Sequence, residues 1–206
     1  MHLLKLYRGD EAGALEYARR ANAIQSRVHI GARAIGFIRD HELRAGRISA
    51  AMALYEKSYP ELLRVGDPEI DPTNYRAAID LALIFSIAKE PQNADRLLDR
   101  SLAQIQKMVR LGIFGFGIDD VRIYAIRGER QQALSALRQA IDAGWRSFWG
   151  YSLEHDLSLE SLHDEPEFQA MVAEIKADMA VQQERLREKE RNGEVELLVE
   201  DSATTQ

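Results

Sequence analysis

The residues able to do chemistry are few in this chain. There are five histidines: His2, His29, His41, His155 and His163. The run "DHELR" opens like a zinc-protease helix, where two histidines four apart hold the metal and a glutamate activates water. The second histidine position is Ala45, so the ligand pair is broken. His155 and His163 stand eight apart beside Asp156 and Asp164, a spacing that fits loop residues and helix caps better than metal ligands. "LGIFGFGID" is rich in glycine, but its G-x-x-G-x-G order is not the dinucleotide order. It follows no strand, and no lysine comes after it as a phosphate loop needs. There is no G-x-S-x-G elbow. Cysteine is absent, which removes disulfides, thiolate metal sites and thiol nucleophiles. The carboxylate pairs Asp119–Asp120 and Asp67–Asp71 fall at turns and helix starts, where acids complement the helix dipole. The expectation is a protein that is not an enzyme and that carries neither metal nor cofactor.

The chain has 206 residues, 46 % of them hydrophobic and 29 % charged, enough for one medium domain or a short repeat array. Its net charge of -6 argues against nucleic acid as a direct partner, because phosphate binding calls for a basic stripe. No apolar run approaches the roughly 20 residues of a membrane span, and "HLLKLYRGDEAG" lacks the features of a signal peptide. A soluble, cytoplasmic protein is expected. Long apolar-periodic stretches alternate with glycines, and no alternating strand pattern occurs before residue 193. The fold class read from this is all-α.

A repeat runs through these stretches. "GDEAGALEYARRA", "GRISAAMALYEKS", "KEPQNADRLLDRS" and "GERQQALSALRQA" share an anchor alanine: Ala14, Ala51, Ala94 and Ala133. Four residues on come Ala18, Tyr55, Leu98 and Leu137, and seven on come Ala21, Ser58, Ser101 and Ala140. Residues at i, i+4 and i+7 share one helical face, and small ones let a neighbouring helix approach closely. Five residues before each anchor stands Gly9, Gly46, Lys89 or Gly128. Glycine there allows the left-handed backbone that ends a preceding helix. Each segment therefore reads as the second helix of an antiparallel pair. "RVHIGARAIGFIRDHELRA", "NYRAAIDLALIFSIA" and "GIDDVRIYAIR" supply first helices, while the first unit has only "MHLLKLYR" before its turn.

This pattern resembles the tetratricopeptide-repeat family. The resemblance covers residues 1–145 as four degenerate units. It implies a TPR-like helical-repeat superhelix of about four helix pairs with a C-terminal capping helix. The fourth unit matches best, through Tyr124, Gly128, Ala133, Leu137 and Ala140. In such arrays the first helices line a concave groove, and the matching inward positions include Arg33, Asp40, Arg44, Arg76 and Arg122. Arginine suits carboxylate recognition by its fork of donors. Two readings stand. The groove takes a peptide or protein partner of acidic character, or these arginines pair internally with Asp40, Asp80 and Asp119. The lysine–asparagine clamp of chaperone-tail binders is missing, since Gly36, Ile79 and Ile118, then Asp40, Leu83 and Arg122, occupy its places.

Residues 146–191 read as an aromatic capping segment and a long terminal helix, and 192–206 as an acidic, polar tail. Leu159, Leu162, Asp164, Pro166 and Phe168 resemble the closing pattern of bacterial tetratricopeptide-type tails. A helical stack leaves an apolar face at its end, and Trp145, Phe148, Trp149 and Leu153 are suited to plug it. Asp164 is expected to cap a helix that starts at Pro166 and buries Phe168, Met171, Val172 and Ile175. Arg146 and Tyr151 form a candidate secondary surface, because their polar ends must reach water or a partner. Val195–Val199 is a minor candidate for a short strand. The short first unit suggests the tail of a longer protein. The resemblance then implies a regulatory or sensory part of a bacterial signalling or transcription-regulator protein. The alternative is a free-standing scaffold. Exposed Leu3, Leu4 and Leu6 would suit a homodimer through the N-terminal end.

Overall fold

The computed structural model describes residues 2–24, 29–64, 66–112 and 114–194. Among these the chain is all-helical, with no strand. The helices are α1 (His2–Tyr7), α2 (Glu11–Ile24), α3 (His29–Arg44), α4 (Ile48–Ser58), α5 (Tyr75–Ile87), α6 (Pro91–Ile105), α7 (Asp119–Ile126), α8 (Arg130–Asp142), α9 (Trp149–Glu154) and α10 (Pro166–Arg191). Two 3-10 segments, Pro60–Leu63 and Leu157–Leu162, join them. No described helix is long and apolar enough to cross a membrane. Val195–Val199 and the rest of the tail lie outside the described residues, as do the side chains of Leu3 and Leu4.

The turns show why successive helices reverse. Gly46 has φ +71 and Gly128 φ +75. At the first, Gly46 N–H bonds to Leu43 O and Arg47 N–H to Glu42 O, both at 2.9 Å. At the second, Gly128 and Glu129 N–H bond to Ala125 and Tyr124 O at 3.0 and 2.9 Å. This paired bonding closes the last orphan carbonyls of a helix and turns the chain sharply. Lys89, which stands where the other units have glycine, takes φ +64 and makes the same two bonds, to Ser86 O and, through Glu90, to Phe85 O. The turn geometry overrides the cost of a side chain in that region.

The anchor face is the core. Ala14, Ala51 and Ala133 are fully buried and Ala94 nearly so, and Ala18, Tyr55, Leu98 and Leu137 fill the space beside them. Ser101 lies on the same face and donates from Oγ to Tyr75 O at 3.3 Å. Helices α3, α5 and α7 pack on one another as one layer. Helix α4 lies against α3 and α5, and α6 against α5 and α7. Burying each large aliphatic here contributes about 1.5–3 kcal/mol.

The closing segment does more than cover an end. Trp145 and Leu153 are buried in the C-terminal core beside Leu159 and Leu162. Helix α10 packs on α8 through Phe168, Met171 and Ile175. Phe148 departs from the plug expected of it: it is 49 % exposed, in a left-handed conformation with φ 54. Asp164 does not cap α10 either. Glu165 holds the N-cap position and makes no side-chain cap bond there. Between Trp145 and Asp156 the chain crosses back to the first units. Tyr151 N–H donates to Tyr7 Oη at 2.9 Å, and Arg44 donates to His155 O at 2.5 Å. Leu6 packs partly buried on the N-terminal core, as Tyr151 does, so Leu6 is not the exposed residue the sequence suggested.

Candidate functional site

Helices α3, α5 and α7 turn one charged face toward the crossing segment. Residues three, four and seven apart share a face, so Arg33, Gly36 and Asp40 align on α3, Arg76 and Asp80 on α5, and Asp119 and Arg122 on α7. Arg39 is almost wholly buried between them. Its Nε and Nη2 donate to Asp40 Oδ1 at 2.8 and 2.6 Å, its Nη1 to Asp80, and its Nη2 also to Asp156 Oδ1 at 3.2 Å. Arg122 donates to Asp80 Oδ1 at 2.5 Å, Asp119 Oδ1 at 3.3 Å and Ser158 Oγ at 3.0 Å, and its Nε lies 3.1 Å from Asp156 Oδ2. Arg76 donates to Asp119 Oδ2 at 2.8 Å and Gly115 O at 2.7 Å. Tyr55 and Tyr151 hydroxyls donate to Asp80 and Asp40, each at 2.7 Å.

Three arginines, Arg39, Arg76 and Arg122, thus meet four carboxylates, Asp40, Asp80, Asp119 and Asp156. A buried charge without compensation is costly, so the surplus carboxylate must hold its proton more tightly. That group is Asp40. Burial, with the Asp156 charge adding to it, pushes its pKa up to about 6 against the pull of Arg39 and Tyr151. Asp156 goes the other way: burial raises it, but Arg122 and Arg39 together hold it below the usual carboxylate range. Burial and the adjacent carboxylates push Tyr55 and Tyr151 well up.

In front of this network lies a half-enclosed pocket of about 290 Å³. Arg33, Arg76 and Arg122 line it, and so do Arg146 and Tyr151, which the sequence had placed on a separate surface. Asp40 sits behind the wall, buried, and Arg44 lies outside the lining, tied to His155 O. Arg76 is paired with Asp119, and Arg122 with Asp80, Asp119 and Asp156. Arg39 and Arg110 also line the pocket and went unread in the sequence, and Asp156, which lines it too, was read only as a neighbour of His155. The adjacency of Arg39 and Asp40 was the one local signal for them.

Arg110 makes a two-pronged pair with Asp120 at 3.0 and 2.6 Å, and Arg146 donates to Asp178 at 2.8 Å. Among the described residues, Arg33 is the one pocket arginine with no carboxylate partner. Its guanidinium carbon lies 3.4 Å from the centre of the Phe148 ring. Burial and the like charge of Arg76 push its pKa down to about 10, with Asp119 opposing.

The remaining polar groups near the pocket hold charges and carbonyls in place. Ser158 Oγ donates to Asp156 at 2.6 Å and accepts from Arg122. His155 stacks on Tyr151, and His163 hydrogen-bonds Leu153 O at 3.0 Å. Among the described residues no group of three or more histidine, cysteine, aspartate or glutamate side chains is set to hold a metal ion. No protein-family model, curated protein or solved structure matches the chain.

Proposed function

We propose that the chain is a non-catalytic, TPR-like protein-binding module that holds an acidic segment of a partner at the mouth of this pocket. Support for the repeat architecture comes from the left-handed turns at Gly9, Gly46, Lys89 and Gly128, the buried anchor alanines and the layer formed by α3, α5 and α7. The observation that carries the binding role is Arg33: a cation at the mouth that makes no ion pair among the described residues, bordered by exposed Leu111 and Phe148. A mixed cationic and apolar rim suits an acidic peptide with apolar neighbours. The chain's own Tyr151 and Asp156 are already bonded to Asp40 and Arg39 of α3, so the partner meets the rim rather than threading a groove. The work assigned to the module is regulation within a larger bacterial signalling or transcription-regulator protein in the cytoplasm, without direct nucleic-acid contact.

The informative substitution is Arg33→Glu, because Arg76 and Arg122 are committed to the buried network and changing them would damage the fold. Partners cross-linked to the wild type in cells and identified by mass spectrometry should be lost with Arg33→Glu and kept with Arg44→Glu. A partner set unchanged by Arg33→Glu would refute the proposal.

A further inference from the structure

The pocket behind the rim has a chemistry of its own. Among the described residues, five of its six arginines are paired with aspartates: Arg39, Arg76, Arg110, Arg122 and Arg146. Arg33 is the exception. Its guanidinium carbon lies 3.4 Å from the centre of the Phe148 ring, and both side chains line the pocket. A guanidinium held this way is preorganised to grip a carboxylate through two parallel hydrogen bonds. Phe148 takes a left-handed conformation to supply that platform. Such a conformation is unfavourable for an aromatic residue and persists where surrounding structure enforces it.

The rest of the lining narrows the ligand. Asp80, Asp119 and Asp156 also face the pocket, so a phosphate dianion meets about twice the repulsion that a carboxylate monoanion does. Trp145, Phe148 and Tyr151 supply flat apolar walls, with Ile118 beside them. A volume of about 290 Å³ is at the low end for small organic ligands. An extended chain has no run past α3, because Tyr151 donates to Asp40 and Arg39 donates to Asp156, which ties the crossing segment there.

We propose that this pocket is a receptor for a small aromatic carboxylic acid, its carboxylate held by Arg33 and its ring against Trp145 and Phe148. The site goes beyond the partner-binding reading but shares Arg33 with it, so ligand and partner segment would compete, and titration of the chain alone separates the two. The shared chemistry is a carboxylate on a flat apolar body, and its other source would be a peptide side chain or terminus.

The test is titration of the whole chain with benzoate and salicylate, read by calorimetry and by tryptophan fluorescence. Trp145 is in the wall and Trp149 is not, so the fluorescence change should vanish in Trp149-only protein (Trp145→Phe) and persist in Trp149→Phe. Arg33→Gln should weaken binding by about tenfold or more, the loss expected for a charge-assisted pair, while Arg44→Gln should leave it within about twofold. Circular dichroism of Arg33→Gln establishes that the variant is folded, and Arg33→Lys, which keeps the charge without the fork, should bind with intermediate strength. The proposal is overturned if neither acid binds the wild type, if Arg33→Gln binds them equally well, or if inorganic phosphate binds as tightly. It is also overturned if a capped pentapeptide with one glutamate binds in an Arg33-dependent way and the free acids do not, which would assign the carboxylate to a protein partner.

Discussion

Substituting Asp40 by Asn tests the charge balance of the buried network. In the folded chain the Asp40 pKa is pushed up to about 6 by burial. In the unfolded chain it returns to about 3.9. Between those values the folded state holds a proton that the unfolded state has released, so stability falls as pH rises. The contribution is fully present below about pH 4 and lost as pH climbs through 6. Two pKa units correspond to about 3 kcal/mol, of which about 2 kcal/mol falls between pH 4.5 and 7.5. Asn cannot ionise, and its side-chain oxygen still accepts from Tyr151 or Arg39. Arg39 keeps Asp80 and Asp156, and Asp80 and Asp156 keep Arg122. Urea unfolding of both proteins, followed by circular dichroism across this pH range, gives a difference in which the other titrating groups cancel. The variant should gain about 2 kcal/mol on the wild type from pH 4.5 to 7.5. A difference that stays flat, or that grows in favour of the wild type, refutes the assignment of the surplus carboxylate to Asp40.

Lys89→Gly should stabilise the chain by about 1 kcal/mol, because it relieves a left-handed residue at an exposed turn; an unchanged denaturation midpoint would contradict this. Arg122→Met should cost about 3–5 kcal/mol at neutral pH by stripping buried Asp80, Asp119 and Asp156 of a shared partner. Combined with Asp80→Asn, that loss should be clearly less than the sum of the two single losses, and simple additivity would show that the two groups are not coupled. Leu98→Ala should cost about 2–5 kcal/mol in the same unfolding assay, as removal of a fully packed side chain does.

What the sequence revealed and what it hid have different physical origins. The anchors Ala51, Ala94 and Ala133 and their partners were legible because helix burial repeats with the period of the helix, and that period is written in neighbouring residues. The reversal at Lys89 was legible only from its place in the repeat, since its residue type argues against it. The pairing of the arginines was not legible. Arg39 meets Asp80 and Asp156, which lie 41 and 117 residues further along, and no local pattern records such a meeting. Phe148 was grouped with the buried aromatics on residue type alone, yet a change of hand at one backbone position turned it outward beneath Arg33.

The return of the closing segment to the first units changes how the chain should come apart. An open array of helical hairpins is nearly one-dimensional. Each hairpin touches only its neighbours, and the ends can fray independently of the middle. Here Tyr151 is bonded to both Tyr7 and Asp40, and Asp156 to both Arg39 and Arg122. An end that peels away must break contacts with the other end, so the described helices are tied into one cooperative unit. Amide hydrogen exchange in α2 and α3 should then be slowed by the same events that protect α7, and folding should wait on a loop closure of more than a hundred residues before the last charges are buried.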